Sequence, residues 1–218
     1  AKFADYWIPV HAGQDTAFWM AVNHVILTEF YVQRQVPYFV DYLKTYSDMP
    51  FLVEIDENGP GKYLRANVVD VYKDVEHGDW KLLIWDETSN RARMPKGTLG
   101  FRWADKEKGK WNLEPKDGLN GEDLNPQLSF ADSYDEVIAL EFDDFSSDSA
   151  NMRGVPVRYI ETSEGRKVVT TVFDLIMAQF GVNRGFSGDY PENYEDADAV
   201  YTPAWQEKFT GIHADTCI

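Results

Sequence analysis

Tyr6-Trp7-Ile8-Pro9-Val10, the turn His11-Ala12-Gly13-Gln14, and the apolar run from Ala17 to Phe30 decide how this chain is read. The first five residues predict a short β-strand, and the turn leads straight into a helix. Apolar residues fall nearly all round that run, which predicts a buried helix and not a surface one. Asp15 or Gln14 stands at its start, where an Asp can accept the unpaired amide hydrogens of the first turn. The chain therefore opens as a strand–turn–helix unit.

Working outward, Pro37 suits the first position of a second, short helix carrying Tyr38, Phe39, Tyr42 and Leu43 on one side. The pattern then changes. Phe51–Ile55, Leu64–Val71 and Trp80–Trp85 are strand-like runs, and Glu57-Asn58-Gly59-Pro60-Gly61 is a strong turn signal. Residues 90–135 are rich in loops, punctuated by Gly97, Gly100, Gly109, Gly118 and Gly121. A hairpin is expected from Val157–Thr162 and Lys167–Thr171, closed by Ser163-Glu164-Gly165-Arg166. Val172–Phe180 reads as a helix stopped by Gly181, where a left-handed residue is needed. Thr202 and Pro203 make a cap and first position for a helix over Ala204–Thr210, closed by Gly211. His213-Ala214-Asp215 looks like the opening of a further helix. The resulting class is mixed α/β, with no internal repeat.

Composition narrows the function. With 218 residues and 44% hydrophobic content, the chain is globular and large enough for one or two cores. No run of about eighteen apolar residues offers a membrane span. The net charge of −16 argues against nucleic-acid binding, which needs a basic stripe. Seven acidic residues between Asp132 and Asp148, and five between Asp189 and Asp198, come without a Lys or Arg. These runs read either as solvated loops or as a docking face for a partner subunit. Cys217 is the only cysteine, and His11, His24, His77 and His213 lack metal-ligand spacing, so the chain is expected to hold no metal of its own. An N-terminus without Met or signal pattern is expected of a piece cut from something longer.

Several stretches, in order, resemble the alpha subunit of respiratory nitrate reductase and its relative nitrite oxidoreductase, in the dimethyl-sulfoxide-reductase family of molybdopterin enzymes. They are Ala4–Pro9 with Gly13-Gln14-Asp15-Thr16-Ala17, Asn23–Leu27, Pro37–Tyr42, Tyr46–Pro50, Gly100-Phe101-Arg102-Trp103, Lys110–Glu114, Val169–Leu175 and Tyr201–Trp205. Gln14 stands where Thr is usual and Asn23 where Gly is usual. The resemblance implies an internal fragment of a catalytic subunit interconverting nitrite and nitrate, with selenate or chlorate reductases as the nearest alternative. A non-catalytic nucleotide-binding module is the alternative of a different class.

Residues 1–50 would then be part of the domain binding a molybdenum-bis(molybdopterin guanine dinucleotide) cofactor. Residues 51–165 would be a strand- and loop-rich segment, and 166–218 a hairpin and helices returning to the first domain. The family's 4Fe-4S ligands and molybdenum ligand are expected outside this chain, leaving the piece inactive alone. An iron–sulfur beta subunit and a haem-containing membrane anchor are the implied partners. The implied location is a membrane-associated complex, on either its cytoplasmic or its periplasmic face.

The resemblance places Gly13, Gln14 and Asp15 against one guanine tail. Their chemistry suits that role: Gly13 lets a ligand approach the backbone, and Gln14 offers donors and an acceptor. Asp15 would repel a phosphate at close range but can accept two parallel hydrogen bonds from a guanine edge. The competing reading of Asp15 is a simple helix cap, worth about 1 kcal/mol. His24 reads as a satisfied core histidine. Arg102 can fork to an anion or join a salt bridge, and Trp103, Trp111 and Trp205 read as core or interface anchors.

Overall fold

The computed structural model describes residues 3–97, 115–144 and 149–218. It is mixed helix and strand, in two compact units. One comprises Ala1–Val36, Glu141–Gly154 and Met177–Ile218, the other Pro37–Leu140 and Val155–Ile176.

In the first unit, α1 (Asp15–Ile26) runs on into a π-helical stretch, Leu27–Gln33. The second helix of this unit, α4 (Pro203–Thr210), packs on α1. Trp205 is fully buried between Tyr201, at 5.0 Å, and Phe209, at 4.9 Å, and Ala17 and Val200 complete that core. A neighbouring cluster joins Phe18 and Ala21 to Ile212 and Cys217. Ala17 and Ala21 are one turn apart and both wholly buried, so they set the closeness of approach. Two expectations fail here. Trp19 is 60% exposed, so α1 buries one face and not its whole circumference. Residues 6–10 form no strand, because no described residue pairs with their backbone in a ladder. Tyr6 and Trp7 stand 87% and 77% exposed.

Local signals hold well where they need no distant partner. Thr202 caps α4, its Oγ1 accepting from Trp205 N at 3.1 Å and donating to Asp196 O at 2.6 Å, and Gly211 ends the helix at φ +72°. Thr202→Ala is expected to cost about 1–2 kcal/mol, since a cap and a buried acceptor are lost together. The check is denaturant unfolding with hydrogen exchange across α4. An unchanged midpoint and unchanged protection would contradict the assignment.

The second unit is built on a sheet of order β2-β1-β7-β6-β5. Its strands are β1 (Leu52–Asp56), β2 (Gly59–Tyr63), β5 (Glu136–Asp143), β6 (Ala150–Thr162) and β7 (Gly165–Thr171), and parts of β5 and β6 belong to the first unit. The β1–β2, β1–β7 and β6–β7 pairs are antiparallel. The expected hairpin is present, with Thr162 opposite Gly165 and Arg158 opposite Val169. Gly59-Pro60-Gly61, expected as turn, instead starts β2; Pro60 is tolerated because β2 lies at the sheet edge. The short pair β3 (Ile84–Asp86) and β4 (Arg91–Arg93) stands apart, so only the end of the expected Trp80–Trp85 strand forms.

Leu64–Val71 is not a strand but two 3₁₀ turns, Ala66–Val68 and Asp70–Tyr72. Its alternating Leu64, Ala66 and Val68 still point into the core with Leu52, Leu83, Trp85, Met94, Phe130 and Val169. An ionic cluster centred on the buried Arg93 and Asp117 ties down the loops: Arg93 donates to Asp117 (2.8 Å) and to the exposed Glu122 (2.7 Å), while the buried Tyr72 hydroxyl donates to Asp117 at 2.5 Å. Burial and the Asp117 carboxylate push the Tyr72 phenol up to about 12.

The expected helices α2 (Pro37–Tyr46) and α3 (Val172–Gln179) both form. Gly181 follows α3 at φ +69°, with Val182 N returning to Met177 O at 2.9 Å. The start of α3 is a reciprocal cap. Thr171 Oγ1 accepts from Asp174 N, and the Asp174 carboxylate accepts from Thr171, Ser129 and Phe130 N. Thr171-x-x-Asp174 before an apolar run is the signature of such a cap, a local signal that marks the start of α3.

Candidate functional site

The turn before α1 is positioned by the end of α4. His11 N donates to Thr210 O and His11 Nδ1 to Phe209 O, each at 3.0 Å. The imidazole then lies against Gly211, where a Cβ would come within 2.5 Å of His11 Nε2. From that anchor the chain turns through Gly13 at φ +81°, and Gln14 N closes onto His11 O at 3.0 Å. The left-handed conformation explains glycine at position 13. Nothing lies within 4 Å of where its Cβ would stand, so the space over the turn is open.

Gln14 occupies the cap position of α1, but its side chain makes no cap hydrogen bond. Asp15 is the first helical residue, exposed, with no hydrogen bond or ion pair among the described residues. The helix-cap reading of its carboxylate therefore fails. A bare acid at a helix start, beside an open glycine and an amide side chain, can accept from a donor edge and is unsuited to phosphate.

The structure brings Gly13, Gln14 and Asp15 together in one turn. Arg102, Trp103 and Trp111 lie outside the described residues. Trp205 is core. His24 is buried, its Nδ1 donating to Phe180 O at 2.7 Å, with Tyr194 edge-on at 5.8 Å. Burial lowers its pKa; the backbone bond opposes that fall, and the Arg153 charge adds to it. Among the described residues no three His, Cys, Asp or Glu side chains cluster to hold a metal ion. Cys217 is buried and its thiol is pushed up to about 11, chiefly by burial. No helix among the described residues is long and apolar enough to cross a membrane.

Sequence reasoning missed Arg153 altogether. It is 1% exposed and donates to four backbone carbonyls: Asp189 (2.8 Å), Ala178 (2.7 Å), Gln179 (3.0 Å) and Val200 (3.2 Å). Two of those carbonyls are orphans of the last turn of α3, where a cation is favoured. Its neighbours in sequence, Asn151-Met152-Arg153-Gly154, carry no signal of this role.

These features define a helix-and-sheet scaffold segment whose open turn at a helix start carries an uncommitted carboxylate. No family model matches the chain. Individual relatives do. The nitrate reductase alpha chain of Bacillus subtilis is 39% identical over 224 residues, covering all of this chain and 18% of that protein. The nitrate reductase alpha subunit of Mycobacterium tuberculosis is 40% identical over 233 residues, again all of this chain and 18% of the relative. The respiratory nitrate reductase 1 alpha chain of Escherichia coli is 36% identical over 230 residues, covering 97% and 18%. The chain belongs to the nitrate reductase alpha-chain family, and spans about a fifth of the length of these relatives.

Proposed function

We propose that this chain is a segment of the catalytic subunit of a molybdenum-bis(molybdopterin guanine dinucleotide) oxidoreductase acting between nitrate and nitrite. Within it, Gly13, Gln14 and Asp15 hold a guanine tail of the cofactor. The observation that carries this reading is the exposed Asp15 carboxylate, without a partner among the described residues, beside the open face of Gly13. A guanine edge presents two parallel N–H donors, and a carboxylate is the side chain that accepts both. Gln14 can add a bond to a neighbouring ring edge, and Gly13 keeps the approach free of a Cβ.

The bound cofactor supplies the redox metal for oxygen-atom transfer. This chain's residues bind and orient its nucleotide end. Exposed Tyr6, Trp7 and Trp19, together with an unpaired stretch at 6–10, support a place against further polypeptide of the parent subunit. The iron–sulfur beta subunit and a haem-containing membrane anchor belong to the same reading, as does a 4Fe-4S cluster held by residues elsewhere. Nitrite oxidation and nitrate reduction are both served by such a site; redox potentials of the partners set the direction.

Asp15→Asn in the full-length subunit tests the proposal. It replaces one acceptor oxygen by a donor that faces the guanine N–H edge, at a cost of about 1.5–3 kcal/mol. Molybdenum and guanine nucleotide content per subunit are expected to fall about tenfold or more, while the unfolding midpoint of the cofactor-free subunit stays unchanged, because Asp15 has no partner among the described residues. Full occupancy in the variant would overturn the assignment.

A further inference from the structure

The chain contains two Asn-Gly pairs, Asn58-Gly59 and Asn120-Gly121, and the fold treats them differently. Asn58 closes the two-residue turn between β1 and β2 and is exposed to solvent. Its backbone is fixed, because Asn58 N donates to Asp56 Oδ1 at 2.7 Å. Its carboxamide makes no hydrogen bond among the described residues. Gly59 follows at φ +104°, with nothing within 4 Å of where a Cβ would stand. Asp56 and Gly59 form the terminal rung of the β1–β2 ladder, and β2 lies at the sheet edge, so freeing the glycine amide opens one rung only.

Asn120 is exposed as well, but it is held. Its Oδ1 accepts from Glu122 N at 3.0 Å and from Arg93 Nη2 at 3.3 Å. Its own N donates to the buried Asp117 carboxylate at 3.1 Å, and Gly121 N donates to Asp117 O at 2.9 Å. Asp117 is itself tied to Arg93 and Tyr72. Both the carboxamide and the amide that follows it are thus committed to the ionic cluster. Restraint, not exposure, separates the two pairs.

We propose that Asn58 is a site of spontaneous modification in the folded protein, passing through a cyclic imide to aspartate and isoaspartate. Gly59 N gives up its proton and attacks Asn58 Cγ. A new C–N bond forms, the carboxamide C–N bond breaks, and its nitrogen leaves as ammonia with that proton. Water then opens the ring at either carbonyl, and no other reactant is consumed. Glycine favours the attack because it has no Cβ to obstruct the approach and its backbone turns freely. The product adds a negative charge beside Asp56 and Glu57. Opening at the backbone carbonyl also lengthens the main chain within a turn whose length sets the β1–β2 register. Asn120 reaches the same geometry only by leaving its hydrogen bonds. The inference is independent of the guanine site at Asp15.

Peptide mass spectrometry of the folded full-length subunit, aged in neutral buffer, reads the amide-to-acid mass gain at each pair. Asn58 is expected to convert about tenfold faster than Asn120 or more, the worth of the one or two hydrogen bonds that Asn120 must break. In guanidinium chloride, where those bonds are gone, the two pairs are expected to convert at matching rates. Labelling of the aged Asn58 peptide by protein isoaspartyl methyltransferase marks the imide route, since direct hydrolysis yields aspartate alone. Equal rates in the folded subunit, an intact Asn58 after the unfolded chain has converted, or a product that the methyltransferase leaves unlabelled overturns the proposal. A rate difference of the same size in the unfolded chain would lie in the flanking residues and not in the fold, and overturns it too.

Discussion

Arg153→Met is expected to lower the stability of the unit containing α1 by about 4 kcal/mol. The guanidinium donates to the carbonyls of Ala178, Gln179, Asp189 and Val200, three stretches of chain far apart in sequence. Methionine fills much of the volume and supplies no donor, so four buried acceptors lose a charged partner at once. Each stranded acceptor costs on the order of 1–3 kcal/mol, part of which water entry and relaxation recover. Among the described residues no carboxylate hydrogen-bonds the guanidinium, so the four carbonyls, with the Tyr190 ring 5.6 Å away, carry most of its stabilisation. Burial accordingly draws the Arg153 pKa below its ordinary value. Arg153→Lys retains charge but reaches fewer of the four, and about half the loss is expected. Chemical denaturation of both variants is the check. A loss under about 1 kcal/mol for Met would mean that the four bonds are replaceable by water.

Gly188→Ala is expected to cost about 3–5 kcal/mol through a different cause. Gly188 sits at φ +132°, a conformation nearly closed to residues with a Cβ. An added Cβ would stand 2.4 Å from Met152 O and 2.7 Å from Arg153 Cα, both backbone atoms that cannot swing aside. The loop must then leave β6, breaking Gly154 N to Ser187 O and Asp189 N to Met152 O, each 2.8 Å. Because Asp189 O is also an Arg153 acceptor, the two substitutions share contacts. Their double variant should lose less than the sum of the single losses, by about 1 kcal/mol or more. Strict additivity would contradict the shared-contact account, and a Gly188→Ala variant of wild-type stability would contradict the close approach.

The legible parts of this fold were those settled within a few residues. The β6–β7 hairpin, the stop of α3 at Gly181 and the Thr202–Gly211 bracket of α4 depend on turn and cap chemistry that neighbours supply. Leu64–Val71 misled because its alternating apolar residues are buried as a strand's would be, yet Ala66 N pairs with Lys81 O in a loop and the backbone turns. Tyr6–Val10 misled because a strand is defined by a neighbour, and sequence shows only the candidate.

At the proposed site, the Gly13 turn leading into α1 is a local pattern and so was legible, while its assignment with Gln14 and Asp15 to a guanine tail rests on the family resemblance. The partner of His24 could not be found, because Phe180 lies 156 residues away. Arg153 stayed hidden for the same reason: its four acceptors lie 25 to 47 residues away along the chain.

A density map of the full-length subunit at side-chain resolution measures the central claim directly. Both Asp15 carboxylate oxygens are predicted to lie within about 3.2 Å of guanine ring and exocyclic nitrogens, with the phosphates away from the start of α1. A carboxylate turned to solvent, or engaged by protein donors with the nucleotide elsewhere, would contradict it.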